Sequence, residues 1–168
     1  MMFQEIPISE LQFNPFTMID KEWMLITAGS AEQCNTMTAS WGGLGILWNK
    51  NVSTLYVRPT RYTLEFLNRE SHYSLCVLDE SRRAALNYCG SHSGRDGDKI
   101  KAAGLTPVFT ENAPYFEEAK LVLICRKLYR QELKPDCFID PAVREKNYKE
   151  NDFHSVFIGE IEKVLKKA

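Results

Sequence analysis

Short runs of apolar residues, separated by polar or glycine-containing turns, form the main pattern along this chain. Runs of this length that end at Gly, Pro or polar clusters are typical of β-strands rather than long helices. The sequence therefore predicts strands at residues 23–28, 35–40, 52–57, 73–78, 119–129 and 153–164. The polar stretch between the first two strands predicts a hairpin, and Gly159 in the last strand predicts a β-bulge.

The helical patterns are short and fall between the strands. Helices are predicted at residues 63–69, 81–88 and 98–103. Thr60 or Thr63 can cap the first helix, and the second is expected to end before Gly90. Asp98 and Gly104 have the residue types that begin and end the third helix.

Three further stretches show no clear period. Residues 1–20 are interpreted as an irregular lead-in, and residues 41–50 as a glycine-containing loop packed on the rest of the chain. Residues 134–152 are polar and interrupted by proline, which predicts a loop with a helical turn. Strands joined by such short helices favour a mainly β fold, a β-barrel or sandwich with short helices, over βαβ repeats.

Length, composition and charge exclude several classes of function. The chain has 168 residues, 44% hydrophobic and 26% charged, so we expect one globular domain over 1–168. The formal net charge of -1 and the scattered basic residues argue against nucleic acid and membrane surfaces as partners. The five cysteines form no C-x-x-C, and no signal peptide is apparent, so we expect reduced thiols and a cytoplasmic protein.

Candidate chemistry begins in residues 35–43, a stretch of small and polar residues that closes on a Trp and two glycines. Because strand side chains alternate, one face of this strand carries the hydroxyl side chains, Thr36, Thr38 and Ser40. The other face carries Met37, Ala39 and Trp41, directed towards a core or a flat ligand. Small side chains leave the backbone open to a planar ring with polar edges. A half-buried strand that runs into a turn explains the stretch equally well.

Two further stretches pair cations with hydroxyl groups, residues 58–65 (Arg-Pro-Thr-Arg-Tyr-Thr-Leu-Glu) and 90–99 (Gly-Ser-His-Ser-Gly-Arg-Asp-Gly-Asp-Lys). Cations and hydroxyls beside a turn or helix start suit an anionic group such as a phosphate. Together with residues 35–43, these stretches resemble the flavin reductase-like, FMN-binding split-barrel family in its flavoredoxin branch. The resemblance continues into residues 125–129 and His154 followed by 159–161, in the family's order.

The resemblance implies an antiparallel, Greek-key FMN-binding split barrel, usually a homodimer with the flavin near the subunit interface. It assigns Arg58 and residues 62–63 to the phosphate and ribityl end, residues 35–41 to the ring and ribityl chain, and residues 90–99 to closing the site. A phosphate monoester needs cations or dipoles, so Arg58, Arg61 and Lys99 are candidates, although each also suits a solvated surface position. The full set of candidate FMN-binding residues is Asn35, Thr36, Met37, Thr38, Ala39, Ser40, Trp41, Arg58, Pro59, Arg61, Tyr62, Thr63, Cys89, Gly90, Ser91, Ser93, Gly94, Arg95 and Lys99.

The predicted function is an FMN-dependent oxidoreductase that passes electrons from NADH or NADPH through FMN to an acceptor or flavin-using partner. Hydride transfer needs no acid or base side chain, so no catalytic residue is assigned, and the protein supplies binding and orientation. His154 is a candidate for substrate binding near the nicotinamide, with a structural hydrogen bond as its alternative role. The alternative function is a non-enzymatic split-barrel protein that holds flavin or haem.

Three other chemistries are disfavoured by spacing. Residues 43–45 begin like a dinucleotide fingerprint, but Trp48 stands where the third glycine is needed. His92 occupies the position that a hydrolase elbow reserves for serine. Cys89 and His92 have the spacing of metal ligands, but the sequence offers no second pair of candidate ligands, so no metal site is predicted. Cys89 is expected to be an inert thiol, with redox activity as the alternative.

Overall fold

The computed structural model describes residues 2–168, and these residues form a mainly β protein with short helices, as the sequence predicts. The strands are β1 (Phe3–Ile6), β2 (Met24–Gly29), β3 (Cys34–Ala39), β4 (Gly42–Leu47), β5 (Lys50–Val57), β6 (His72–Leu78), β7 (Pro107–Val108), β8 (Tyr115–Phe116), β9 (Ala119–Glu132) and β10 (Ser155–Lys167). The α-helices are α1 (Pro15–Thr17), α2 (Thr63–Arg69), α3 (Arg83–Ser91), α4 (Lys99–Ala102) and α5 (Pro141–Asn147). Shorter or irregular helical turns lie at Ile8–Glu10, Met18–Glu22, Glu80–Arg82 and Pro135–Cys137. Within residues 2–168, every helix is too short or too polar to cross a bilayer.

Eight strands form one antiparallel sheet in the order β3-β2-β6-β9-β10-β5-β4, with β1 attached to β10. β10 organises this sheet, because it pairs with β9 along most of its length, with β5 at its start and with β1 at its end. The short strands β7 and β8 form a separate hairpin. The antiparallel architecture confirms the predicted fold class.

The sheet buries residues on both faces. Ile26 and Leu75 belong to an interior cluster, whereas their neighbours Leu25 and Cys76 pack on the other face with Leu86 of α3. This division follows from the alternation of side chains along a strand. The cluster on this other face, which also contains Ile100 of α4, holds α3 and α4 against the outside of the sheet, beside the edge strand β3.

The hairpin and bulge predictions are both confirmed. β2 and β3 pair from Met24 with Ala39 to Gly29 with Cys34. The register of β9 against β10 shifts at Gly159, where an added Cβ would lie 2.2 Å from the Tyr73 hydroxyl oxygen. Glycine is needed here because that hydroxyl is fixed in the core by a 2.6 Å hydrogen bond with Ser53.

The prediction of a loop over residues 41–50 is wrong. Gly42–Leu47 forms β4, which pairs with β5 in a hairpin closed by Trp48 and Asn49. Both turn residues have positive φ, 51° and 57°, as a tight hairpin turn requires. The glycines of β4 hide the alternation that identifies a strand, and neither turn residue is the glycine that usually marks such a turn.

Several predicted boundaries also differ from the structure. α3 runs through Gly90 to Ser91, because its last carbonyls receive hydrogen bonds from elsewhere in the chain. α2 begins at Thr63 without a side-chain cap. β9 and β10 extend beyond their predicted ends, and the lead-in contains β1, whose pairing with β10 depends on residues far away in sequence.

The remaining helical predictions are confirmed. The Asp98 side chain accepts a 3.0 Å hydrogen bond from the Lys101 amide, and Gly104 ends the segment with φ of +67°. Residues 134–152 contain a helical turn and α5, whose start is capped by the Asp140 carboxylate accepting from the Ala142 amide at 2.9 Å.

Candidate functional site

A polar cavity of about 280 Å³ lies where β3 ends and the chain turns towards β4. We call it the arginine cavity. Its lining consists of Met37, Thr38, Ala39, Ser40, Trp41, Tyr56, Arg58, Arg61 and His154. Residues from the first two predicted motifs therefore meet His154, from the start of the last strand, around one space.

β3 supplies the floor of the arginine cavity, and its hydroxyl groups are held by the fold. Thr36 is fully buried, and its hydroxyl lies 2.8 Å from that of Thr27 and 3.1 Å from the Ile26 carbonyl oxygen. The Thr38 hydroxyl donates to the Leu86 carbonyl of α3. Ser40 and Trp41 follow the end of β3, and the Trp41 side chain is 48% exposed, so its indole is available to a ligand.

Arg58 lies at the end of β5 and is held from three sides. Its guanidinium forms an ion pair with Asp152, donates a 2.9 Å hydrogen bond to the Asn147 carbonyl and stands 5.2 Å from the Tyr148 ring centre. The same ion pair lowers the pKa of the Asp152 carboxyl below its ordinary value. A guanidinium has five N–H donors, so these contacts leave Arg58 able to donate to an anion.

Arg61 links the second motif to the third. Its guanidinium donates a 2.8 Å hydrogen bond to the carbonyl of Gly90, in the last turn of α3. Lys99 satisfies the same helix end, since its Nζ donates to the carbonyls of Cys89 at 3.2 Å and His92 at 3.1 Å. A cation at a helix C-terminus is favourable because of the partial negative charge there. Lys99 is only 6% exposed, and burial lowers the pKa of its amine.

His154 is buried against the arginines, at the rear of the arginine cavity. Its Nδ1 lies 2.7 Å from the Tyr148 hydroxyl, and its ring centre lies 5.4 Å from that of Trp41. Burial, followed by the positive charges of Arg58 and Arg61, lowers the pKa of the imidazole from 6.5 to about 4, although Asp152 acts in the opposite direction. The imidazole is therefore neutral at neutral pH, and Arg58 and Arg61 are the two cations that line the cavity.

Several other candidate residues line a second, larger cavity of about 750 Å³ near the start of β3. Asn35, Tyr62, Gly94 and Lys99 lie along its wall. The Asn35 amide donates a 2.8 Å hydrogen bond to the hydroxyl of Thr63, which is the first residue of α2. An added Cβ at Gly94 would lie 2.1 Å from the Asn35 Oδ1, so the third motif packs directly on the first.

Four further candidates face neither cavity closely. Ser91 donates to the Asn87 carbonyl at 2.8 Å, and Ser93 accepts from the Arg95 amide at 3.2 Å, so both hydroxyls serve local structure. Pro59 is exposed at a separate surface. Cys89 is fully buried, and burial raises the pKa of its thiol to about 11, which makes it a poor nucleophile.

Arg95 lies on the surface between the second and third motifs. It forms an ion pair with Glu65, and its guanidinium stands 4.7 Å from the Tyr62 ring centre. Being 45% exposed, it adds positive charge near the larger cavity without lining the arginine cavity.

Three residues around the arginine cavity are not predicted from the sequence. Tyr56 faces the cavity from β5, Asp152 pairs with Arg58, and Tyr148 holds His154. A charged residue two positions before the candidate histidine was a usable signal for Asp152. Tyr148 gave no such signal, since it lies in the segment predicted as a polar loop.

The arginine cavity can bind an anion beside an aromatic wall. Two guanidinium groups provide positive charge and directed donors, which suit the geometry of a phosphate. The exposed indole of Trp41 and the open end of β3 offer a flat surface and backbone groups to a ring. This donor set fits the phosphate and planar ring of a flavin mononucleotide.

Comparisons with known proteins identify the family and the fold. A family model described as a flavin reductase like domain matches residues 19–167. A search of curated proteins finds no match.

Three solved structures illustrate the likeness of the fold. Flavoredoxin from Methanosarcina acetivorans is 21% identical with a TM-score of 0.66, covering 98% of this chain and 76% of its own. A putative flavin reductase with a split barrel domain from Shewanella frigidimarina is 19% identical with a TM-score of 0.67, covering 94% and 75%. An NADH:FAD oxidoreductase from Streptomyces globisporus, in complex with NAD and FAD fragments, is 18% identical with a TM-score of 0.65, covering 87% and 74%.

At these identities the structural likeness establishes the split-barrel fold, and the family model covers nearly the whole sequence. The chain therefore belongs to the flavin reductase-like domain family.

Proposed function

We propose that this protein is an FMN-dependent oxidoreductase that passes electrons from NADH or NADPH through FMN to an acceptor. The observation that carries the proposal is the arginine cavity, where Arg58 and Arg61 meet the end of β3 and the exposed Trp41. Family membership supports flavin chemistry, and the Streptomyces relative bound to NAD and FAD fragments supports a nicotinamide nucleotide as electron donor.

Arg58 and Arg61 bind the FMN phosphate in this proposal. The phosphate carries about two negative charges, which must be balanced by cations or dipoles when it leaves water. Burial, and then the charges of Arg58 and Arg61, lower the pKa of His154, so the imidazole is neutral at neutral pH and the two arginines are the cations of this site. Asp152 holds Arg58 in position and compensates part of its charge.

Residues 38–41, and Trp41 in particular, hold the flavin ring in this proposal. Backbone N–H groups at the end of β3 would stabilise negative charge on the polar edge of the ring, and the exposed Trp41 indole would pack against it. Bound FMN supplies the hydride-accepting and electron-donating chemistry, which needs no acid or base from the protein. His154, neutral and fixed by Tyr148, offers a ring nitrogen to the flavin or nicotinamide.

The residues around the larger cavity support the site from behind. Asn35 and Thr63 join β3 to α2, and Arg61 and Lys99 join the end of α3 to the same region. These contacts connect the three motifs to one another across the two cavities. We further propose that the protein acts as a single-domain, cytoplasmic homodimer, with the flavin near the subunit interface.

The visible spectrum of the purified protein tests the proposal first. We expect a yellow protein that releases FMN rather than FAD on denaturation, or a colourless protein that binds added FMN more tightly than FAD. NADH and NADPH oxidation is then measured with the FMN-loaded protein and several acceptors. A lack of FMN binding contradicts the proposal, and binding without turnover favours the non-enzymatic binding protein.

A further inference from the structure

An apolar cleft of about 480 Å³ lies next to the arginine cavity. Its walls come from segments that are far apart in sequence, and the side chains that define it are Phe16, Trp41, Tyr56, Phe138, Val143 and Tyr148. We call it the aromatic cleft. Its volume falls within the range of small-molecule sites in proteins, and such sites are typically lined by apolar and aromatic side chains.

The aromatic cleft and the arginine cavity share a wall. Ser40, Trp41 and Tyr56 line both spaces. A molecule in the aromatic cleft therefore lies directly beside whatever occupies the arginine cavity, separated from it by the Trp41 indole and the Tyr56 ring. Ser40 stands on this shared wall, and its hydroxyl is able to donate a hydrogen bond to a carbonyl oxygen.

Aromatic side chains in the walls of the cleft are held in place by packing against one another. Phe138 and Tyr148 pack in an edge-on arrangement with ring centres 5.5 Å apart, and Tyr148 stacks on Phe153 at 4.9 Å. In contrast, Phe16 is 82% exposed and Val143 is 47% exposed, although both are large apolar side chains. Rigid aromatic groups at the base with exposed apolar groups at the mouth are the features of a site that gains stability when an apolar ligand covers them.

The charge of the aromatic cleft restricts the ligand. Among the residues of 2–168 that line it, Asp20 alone is charged, and its carboxylate pairs with Lys21 at 2.6 Å. The two arginines line the neighbouring cavity instead. An anionic acceptor would leave water here with no cation in the cleft lining, and Arg58, which contacts Tyr148 and Asn147, is already paired with Asp152. An uncharged ring needs no such balancing charge.

We propose that the aromatic cleft binds an uncharged, planar quinone as the electron acceptor of this protein. The inference rests on the proposed function, because the electrons come from NADH or NADPH through FMN. The balance is complete: the quinone takes up two electrons and two protons to become a hydroquinone. The nicotinamide nucleotide supplies two electrons and one proton as a hydride equivalent, and water supplies the second proton.

Duroquinone is the probe, because its four methyl groups leave no ring carbon open to addition by the exposed Cys137 thiol. Val143→Phe narrows the mouth of the aromatic cleft from an exposed position on α5. Ile46→Phe is the matched control, since Ile46 is also exposed and apolar but lies on β4 outside the cleft lining. Duroquinone binding to the oxidised, FMN-loaded proteins is measured by equilibrium dialysis, and FMN binding by fluorescence titration.

We expect Val143→Phe to raise the dissociation constant and the KM for duroquinone at least about tenfold, because a ring added at the mouth excludes the ligand ring from the walls. FMN affinity and the rate with ferricyanide, a small charged acceptor, should stay unchanged. Ile46→Phe should match the wild-type protein in every measurement.

Two results would overturn the inference. Unchanged duroquinone binding in Val143→Phe would show that the aromatic cleft does not hold the quinone. A parallel loss of FMN affinity would show that the cleft belongs to the flavin. If the wild-type protein binds no FMN, the proposed function fails, and the acceptor role fails with it; duroquinone dialysis with flavin-free protein then shows whether the cleft itself is a site.

Discussion

The Tyr148 hydroxyl lies 2.7 Å from Nδ1 of His154, and this contact joins the segment after α5 to the start of β10. Both side chains are buried, and burial raises the pKa of the Tyr148 hydroxyl, so the phenol keeps its proton and we expect it to donate to the imidazole. His154 is neutral, so its remaining proton belongs on Nε2. The hydrogen bond therefore determines which donor the imidazole presents to its surroundings.

Tyr148→Phe tests this relationship. Removing the hydroxyl leaves Nδ1 of a buried imidazole without its donor, so we expect a loss of about 1–2 kcal/mol in the free energy of unfolding. Long-range ¹H–¹⁵N spectra should show His154 protonated at Nε2 in the wild-type protein and as a mixture of tautomers in the variant. Tyr129→Phe is the control, because the Tyr129 hydroxyl lies on the surface. An Nδ1-protonated His154 in the wild-type protein would contradict the assignment.

The depressed pKa of His154 predicts how stability depends on pH. An unfolded histidine takes up a proton near pH 6.5, whereas the folded protein resists protonation until about pH 4. Its contribution is therefore fully present above pH 6.5 and is lost as the pH falls from 6.5 to 4. We expect a decrease on the order of 2–3 kcal/mol across this window, measured by urea unfolding at several pH values.

His154→Gln should remove this part of the pH dependence, and His92→Gln serves as the control because His92 is exposed on the surface. A wild-type slope that persists unchanged in His154→Gln would assign it to other groups.

Arg58 and Arg61 should both contribute to FMN affinity. Each charge-assisted hydrogen bond to a phosphate contributes about 1.5–3 kcal/mol, so Arg58→Ala and Arg61→Ala should each weaken FMN binding at least about tenfold. Arg69→Ala is the matched control, since Arg69 pairs with Glu70 on the surface away from both cavities. FMN fluorescence titration measures the effect, and unchanged affinity in both variants would refute the phosphate assignment.

Gly94→Ala should disturb the junction between the first and third motifs. The new Cβ would lie 2.1 Å from Asn35 Oδ1, and the buried Asn35 cannot move freely because its amide donates to Thr63. Overpacking of this kind costs about 1–3 kcal/mol, and we expect weaker FMN binding as well.

Gly45→Ala is the control for this substitution, because an added Cβ at Gly45 meets no atom within 4 Å. Equal unfolding free energies for the Gly94→Ala and Gly45→Ala variants would show that the third motif can move away from β3 without cost.

The sequence alone determined the strands whose side chains alternate or form continuous apolar runs, such as 73–78, and the hairpin of β2 and β3. It also determined features that depend on local chemistry, including the Asp98 cap, the Gly104 terminus and the bulge at Gly159. These elements are specified by residues close together in the chain, so they can be predicted from the sequence alone. Their order, with the three motifs, was sufficient to indicate the family that the family model confirms.

Only the tertiary structure decided the elements and contacts that depend on distant partners. β4 is a strand because β5 supplies its hydrogen bonds, and β1 because β10 does, whereas neither sequence alternates clearly. The fold also separated the three motifs between two cavities, turned Lys99 towards the end of α3 and joined Arg58 to Asp152. A cation beside a hydroxyl suggests an anion site in any sequence, but the direction of each side chain is set by packing between residues far apart in the chain.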